Sequence, residues 1–530
     1  MNILSVLKRP RVKAAVAQVD RFARPWGMLV ANPWVLVAGV FTLLAAHAAL
    51  HGFVFTGLPR DELESVYWGQ GWALGYDIQQ PPLHNWIALA LMEMFGASPA
   101  LFGLNRVVTI GAMLLFLGLS ARSMSGGRSL AATVTVLGAL TTVLFGLQIF
   151  LNLTHSLMLL AALAFCLWTL TRLARPEAGP GTYLLVGSAL GLGALSKYSF
   201  ALFALALLAA VLVHPQLRKR LWDRRSLWAL GLAVLLVLPH GVWMLLADHG
   251  IAGEMAGILK AKPLAWTDRL PDILRTAWVD PIAGVITPLI LVALAAPGVF
   301  ALRFVRGSSP GAEGEDPTLP WRRFLVVYLV ASLTLATLVT LALGGSELRD
   351  HYMMPAVLVV PLWLGLRVSV MAPEGKTLSR IGVALGGGAL VMGLGLLGGM
   401  ALIRPMTCGR CLTDLPVAAW SEALRESGFS QGTLVANDLD GGANLLSRFP
   451  GSTLVVPNLD PAPGTEGAGT GLWAVVLDPR APSEATEAVK AWVAAQGRSW
   501  PETFQEISGP VRGPFTDQMR SLSLALVPAP

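Results

Sequence analysis

The stretch Pro59-Arg60-Asp61-Glu62-Leu63-Glu64-Ser65-Val66-Tyr67-Trp68, followed by Gly75-Tyr76-Asp77-Ile78-Gln79-Gln80-Pro81-Pro82-Leu83-His84-Asn85-Trp86, decides how the chain is read. It places three carboxylates within four residues, directly after an apolar run at 33–55 that is long enough to cross a bilayer, for which about 20 residues suffice. If 59–68 is helical, Asp61, Glu64, Ser65 and Trp68 share one face at i, i+3, i+4 and i+7. The paired prolines suit the first turn of a second helix. Its apolar positions Trp86, Ile87, Ala90, Leu91 and Met94 predict a helix lying on a membrane surface. Composition alone supports a plainer alternative, a solvated acidic loop capped by a surface helix.

Outward from this loop, apolar runs dominate. Of 530 residues, 54% are hydrophobic and 13% charged, against about 25% charged in an ordinary soluble domain. Mean hydropathy is +0.61. A soluble enzyme and a disordered chain are both excluded. Eleven spans are expected, at 33–55, 100–121, 130–150, 154–171, 181–196, 198–213, 226–247, 281–302, 324–344, 353–371 and 382–402. The fifth and sixth are separated only by the region of Lys197.

The net charge of +7 is split along the chain. Residues 404–530 carry 9 basic and 13 acidic residues, and the first 403 carry 30 and 19. A basic membrane part with an acidic tail is not a nucleic-acid signature. It reads as topology: with the N-terminus inside, the inside segments hold 22 Lys and Arg and the outside segments 8. The tail is then extracytoplasmic, and so are the acidic loop 56–99, the start of the fourth span (Asn152, Thr154, His155), Lys197 with Tyr198, and Arg349-Asp350-His351-Tyr352. Each of these is by itself an ordinary interfacial anchor or helix cap; their shared side is the stronger signal. Residues 1–32 form a basic cytoplasmic segment without the apolar core of a cleavable signal. The segment 307–320 reads as a flexible inside loop. The segment 251–278, with Lys260, Lys262, Arg269 and Arg275 among apolar residues, reads as a basic interfacial helix or a cationic surface for anionic lipid.

The domain plan is therefore a cytoplasmic segment (1–32), a transmembrane domain (33–403) whose acidic first outside loop (56–99) is the candidate place for chemistry, and a soluble domain (404–530). In the last, strands at 432–437 and 472–478 and a helix at 483–496 predict an α/β class. Cys408 and Cys411, in Cys-Gly-Arg-Cys, are spaced for a short-loop disulfide on the oxidising side of a membrane. Zinc needs about four ligands, and the tail has no further cysteine and no histidine. No thioredoxin-like pattern surrounds the pair.

Taken in order, these segments resemble the family 39 and family 83 membrane glycosyltransferases of the GT-C fold, which include bacterial aminoarabinose transferases and protein mannosyltransferases. The resemblance rests on Asp61-Glu62, Gly75-Tyr76 and Pro81-Pro82-Leu83, then on Gly191-Leu192-Gly193-Ala194-Leu195-Ser196-Lys197-Tyr198. Leu238-Pro239 with Trp243, and His351-Tyr352 with Pro355, complete it. It covers about residues 30–370 and leaves the tail unmatched. It implies an inverting transferase that moves a sugar from a polyprenyl-phosphate donor to a lipid, glycan or protein acceptor at the outer face of the bacterial inner membrane. By the same resemblance Asp61 is the general base and Glu62 assists or orients it. Lys197 and Arg349 receive the donor phosphate, and His351, Tyr352, Tyr76, His84 and His155 are further substrate-binding candidates. The chain departs from the family at His155, where many members have Asp, and at Gln80, where many have a basic residue. A divalent metal is therefore left open and is not required. The competing reading, a lipid or glycan transporter without chemistry, needs ionisable groups near the bilayer midplane, and the middles of the spans hold almost none. Walker, HExxH and GxSxG motifs are absent from the sequence.

Overall fold

The computed structural model describes residues 32–151, 153–246, 265–300, 316–371, 373–407, 411–465, 471–512 and 518–528, with isolated residues 18, 21 and 25. Among the described residues, each span expected from hydropathy is helical over most of its length. Seven helices are long and apolar enough to cross a membrane: α1 (Pro33–Phe53), α4 (Pro99–Met124), α6 (His155–Leu173), α9 (Ser226–Leu246), α12 (Leu319–Ala342), α13 (Asp350–Met371) and α14 (Gly375–Ile403). Three further spans are bent pairs, which brings the total to as many as ten. α5 (Ser129–Leu140) turns by 82° into Val143–Phe150, α8 (Phe200–Val213) by 112° into Pro215–Leu221, and α10 (Trp266–Val285) by 44° into α11 (Thr287–Ala295). The expected fifth span, 181–196, is the 17-residue helix α7 (Pro180–Ser196). It is shorter than the about 20 residues that a perpendicular crossing takes.

Where the sequence placed one span at 281–302, the helix already begins at Trp266 and passes through a π turn at Arg275–Val279. The apolar run starts late because the first turns of α10 carry Asp268, Arg269 and Asp272. Lys260, Lys262 and most of 307–320 lie outside the described residues.

The chain divides into two compact units. The first comprises residues 1–43, 109–151 and 155–395. One apolar cluster in it buries Val134, Val292, Val299, Leu364, Val368, Ile381 and Leu385 together. Pro355 breaks the ladder of α13, and its carbonyl accepts a hydrogen bond from the buried Tyr328 hydroxyl at 2.9 Å.

The second unit comprises 44–108, 152–154 and 396–530, so its limits do not follow a boundary at 404. The first loop and the tail share one core. Leu58, Leu63, Val66, Tyr67, Ala88 and Phe102 pack with Trp420, Leu424, Phe429, Leu434, Leu454 and Leu522. The tail carries a five-stranded sheet, β1 (Thr433–Ala436), β2 (Thr453–Val455), β3 (Trp473–Leu477), β4 (Gln505–Pro510) and β5 (Met519–Val527), in the order β2-β1-β3-β5-β4. β1 pairs with β2 and β3 in parallel; β5 pairs antiparallel with β3 and β4. The expected strands and the expected helix, Ser483–Ala495, are all present.

The loop helices are therefore walls of a folded unit. α2 (Arg60–Trp68) turns Glu62, Leu63, Ser65, Val66 and Tyr67 inward, and α3 (Leu83–Phe95) turns His84, Asn85, Ala88 and Leu89 inward and leaves Met94 and Phe95 exposed. Gly57 permits the closest approach, since a Cβ there would lie 2.3 Å from the Leu412 carbonyl. Removing residues 412–530 would uncover Leu58, Leu63, Val66 and Tyr67 and strand their polar neighbours. We expect the truncated chain to be cleaved within 56–99 by a protease added to the detergent-solubilised protein, under conditions that leave the full chain intact. Equal resistance of the two chains would contradict this shared core.

Candidate active site

α2 forms because the chain enters it in extended conformation at Pro59 and then presents Asp61 and Glu62 in the first turn, where carboxylates favour the positive end of a helix. The amide of Gly69 closes it on the Ser65 carbonyl at 2.9 Å. Each acidic residue then meets a different partner. Asp61 is partly exposed, and its Oδ2 accepts from the Thr154 hydroxyl at 3.1 Å. Glu62 is 1% exposed, and its Oε1 meets Arg106 Nη2 at 2.7 Å. Glu64 pairs along the helix with Arg60 at 3.1 Å, and Arg60 reaches Asp440 of the tail at 2.8 Å. Burial pushes the Glu62 carboxyl upward, against the pull of the Arg106 guanidinium.

The tail grips α2 along its whole length. Asn444 Oδ1 accepts from the Leu58 amide at 3.0 Å ahead of the helix. The Tyr67 hydroxyl donates to the Asp460 carbonyl at 2.8 Å. Past its end, Gln70 donates to the Leu454 carbonyl and accepts from the Leu454 amide, at 3.0 and 2.6 Å, in the manner of a paired strand residue on β2.

His84 braces α2 from the other side. The Ser65 hydroxyl donates to the Asp61 carbonyl at 2.9 Å, so its oxygen is left to accept from His84 Nε2, 3.1 Å away. Burial, with the Arg106 charge second, draws the imidazole down to about 4. The folded form binds fewer protons than the unfolded chain, so the unit is fully stable above pH 6.5 and loses stability as the pH falls towards 4. The loss is at most about 3 kcal/mol. His84→Gln keeps a donor for Ser65 and removes the titration. Thermal unfolding of the solubilised protein across this range should show a shallower slope in the variant; identical slopes would contradict the assignment. Tyr76 is buried nearby and its hydroxyl accepts from the Ala73 amide at 3.4 Å, while Trp86 Nε1 donates to the Ala73 carbonyl at 2.7 Å.

In the other unit, Lys197 marks the break between α7 and α8. α7 ends at Ser196 because Lys197 adopts extended backbone, φ −165° and ψ 138°. Gly193 lets the next helix return closely, since a Cβ there would sit 2.4 Å from the Phe200 ring. Small residues at such contacts allow membrane helices to approach. Lys197 is 9% exposed; its Nζ donates to the Ser156 hydroxyl at 2.7 Å and lies 4.7 Å from the Tyr352 ring centre. The His351 and Tyr352 rings are 4.3 Å apart. Arg349, exposed, immediately precedes α13. Tyr198 and His240 approach at 3.0 Å between hydroxyl and Nε2, and the His240 ring stacks on Trp243. His155, partly exposed, opens α6 beside Ser156.

The arrangement has known counterparts. A crystal structure of ArnT from Cupriavidus metallidurans bound to undecaprenyl phosphate superposes with a TM-score of 0.57, over 93% of this chain and 97% of that one, at 14% identity. Its apo state gives 0.55 over the same shares. The chain has the GT-C fold. By sequence it is similar to two lipopolysaccharide core galacturonosyltransferases of Rhizobium johnstonii. RgtA is 29% identical over 80% of this chain and 82% of the relative, and RgtB 27% identical over 78% and 82%. The family model for dolichyl-phosphate-mannose-protein mannosyltransferases matches residues 79–243. The relatives of this multi-pass GT-C membrane protein are thus glycosyltransferases.

Within this GT-C chain, Asp61, Glu62, Tyr76 and His84 lie in one unit, and Lys197, His155, Arg349, His351 and Tyr352 in the other. Sequence reasoning missed Arg106, Ser156, His240 and Asp440. Among the described residues no group of three or more His, Cys, Asp or Glu side chains is placed to hold a metal ion. Cys411 is disulfide-bonded, and Cys408 lies outside the described residues.

Proposed function

We propose that this protein is an inverting glycosyltransferase of the bacterial inner membrane. It moves one sugar from a polyprenyl-phosphate carrier to an acceptor of the cell envelope on the extracytoplasmic side. The observation that carries the reading is Asp61, a partly exposed carboxylate fixed in the first turn of a buttressed helix by the Thr154 hydroxyl. The ArnT likeness supports a polyprenyl-phosphate donor, and the names of the Rhizobium relatives support a hexuronic acid as the sugar and a lipopolysaccharide core as the acceptor.

The chemistry follows from the groups. The acceptor hydroxyl attacks the anomeric carbon as the bond to the carrier phosphate breaks. Its proton passes to the Asp61 carboxylate, a suitable general base. The departing phosphate takes the bonding pair and needs charge stabilisation more than a proton. Lys197, with Arg349, supplies that cationic partner. A single displacement inverts the anomeric centre. The buried Glu62 serves as an orienting group.

Mass spectrometry of envelope lipids tests the reading in matched cells with and without the protein. A mass increment of one hexuronic acid on a lipopolysaccharide core fragment is expected only where the protein is present. A host that makes the polyprenyl-phosphate uronic acid and shows no increment anywhere in its envelope would contradict it.

A further inference from the structure

Arg106 lies near the start of a largely apolar helix. α4 reads Pro-Ala-Leu-Phe-Gly-Leu-Asn-Arg-Val-Val at its start, and Arg106 is 4% exposed. A buried guanidinium at such a place carries a heavy desolvation penalty unless its donors are used. Two of its arms are. Nη2 meets Glu62 Oε1 at 2.7 Å, and Nη1 points to the Leu153 carbonyl at 3.4 Å. The two acceptors are the chain neighbours of the two residues that hold the base: Glu62 follows Asp61, and Leu153 precedes Thr154. The hydrogen bond from Thr154 Oγ1 to Asp61 Oδ2, 3.1 Å, closes the loop.

We propose that Arg106 is a positioning residue for sugar transfer, a clamp that sets the register between α2 and the segment before α6 and so fixes the direction of the Asp61 carboxylate. The inference rests on the assignment of Asp61 as base. The guanidinium suits the task because its planar fork holds two acceptors at fixed angles, which a single ammonium does not. Its influence on the reaction is geometric: misplacing a reacting group by about 1 Å can cost about 10²-fold in rate. A pair that served stability alone would give up folded protein when weakened and leave the turnover of the surviving molecules unchanged.

The test is steady-state transfer by purified full-length protein, using a polyprenyl-phosphate sugar and the acceptor found in cells, with rates normalised to folded protein. Asp61→Asn, Arg106→Lys, Thr154→Val, Thr154→Ser and the Arg106→Lys/Thr154→Val pair are compared. We expect Arg106→Lys and Thr154→Val each to lower kcat tenfold or more, with KM for donor and acceptor within twofold of wild type. Thr154→Ser should restore the rate. The double variant should fall little below the worse single one, because both changes release the same carboxylate. Wild-type kcat in Arg106→Lys, beside an inactive Asp61→Asn, overturns the clamp and leaves the base standing. An active Asp61→Asn overturns the base, and the clamp with it. If Arg106→Lys does not accumulate, the Thr154 pair decides, and unchanged kcat in Thr154→Val overturns the proposal.

Discussion

Asp61→Asn is expected to lower sugar transfer by about 10²–10⁴-fold, the range a positioned general base contributes, while the protein still accumulates in the membrane. The amide keeps the size of the carboxyl group and can still accept from Thr154 through its oxygen. It cannot take the acceptor's proton. α2 should survive the change, since its packing rests on Leu63, Val66 and Tyr67 and on its ties to Asn444, Asp440 and Leu454. Turnover per folded molecule, measured beside the amount of protein in the membrane, separates chemistry from folding. Wild-type turnover in Asp61→Asn would remove Asp61 from the mechanism.

Lys197→Met is expected to cost about 10²–10³-fold in kcat, the scale seen when one preorganised donor to a developing negative charge is removed. The methionine stem fills much of the same space and retains contact with the Tyr352 ring, so loss of the charge is the main change. Lys197→Arg should recover part of the rate. Its guanidinium restores the charge, but its fork differs from the compact ammonium that donates to Ser156 Oγ at 2.7 Å. Equal turnover in Lys197→Met and wild type would place the phosphate-stabilising charge elsewhere.

The fold was legible where the signal was local. Apolar runs of bilayer length announce α1, α4, α6, α9, α12, α13 and α14 with little ambiguity. The tail's strands at 433–436 and 473–477 show as short apolar runs, and Ala485, Val489 and Val493 show helical spacing. Bends are harder to read. Hydropathy does not register the 82° turn after Leu140, because the residues on both sides are equally apolar; the 112° turn after Val213 leads instead into the basic Pro215–Leu221, where the expected sixth span already ends. The start of α10 was missed for the opposite reason: its charged first turns are helical without being apolar.

The candidate site was legible in part. Asp61 stood out through its charge and its place after a span, and Lys197 through its place between two apolar runs. Glu62 looked like a companion of Asp61, yet the helix turns the two carboxylates to different surroundings, one partly exposed and one buried against Arg106. Arg106 itself gave a single basic letter in an apolar run. Its meaning depends on Glu62, 44 positions earlier, and on Leu153, 47 positions later. The union of the first loop with the tail was equally hidden. Thr56 meets Leu415, Leu58 meets Asn444, and Gln70 meets Leu454 across separations of 359 to 386 residues. No local pattern in either segment encodes its partner.

The most direct test of the central claim uses purified protein, a polyprenyl-phosphate-linked hexuronic acid of defined anomeric configuration, and a lipopolysaccharide core acceptor. Product and released polyprenyl phosphate are measured together, and the configuration of the new glycosidic bond is read by nuclear magnetic resonance. The expected result is one polyprenyl phosphate released per sugar transferred, an inverted anomeric centre, and loss of both products in Asp61→Asn. Retention of configuration, or transfer that persists in Asp61→Asn, would contradict it.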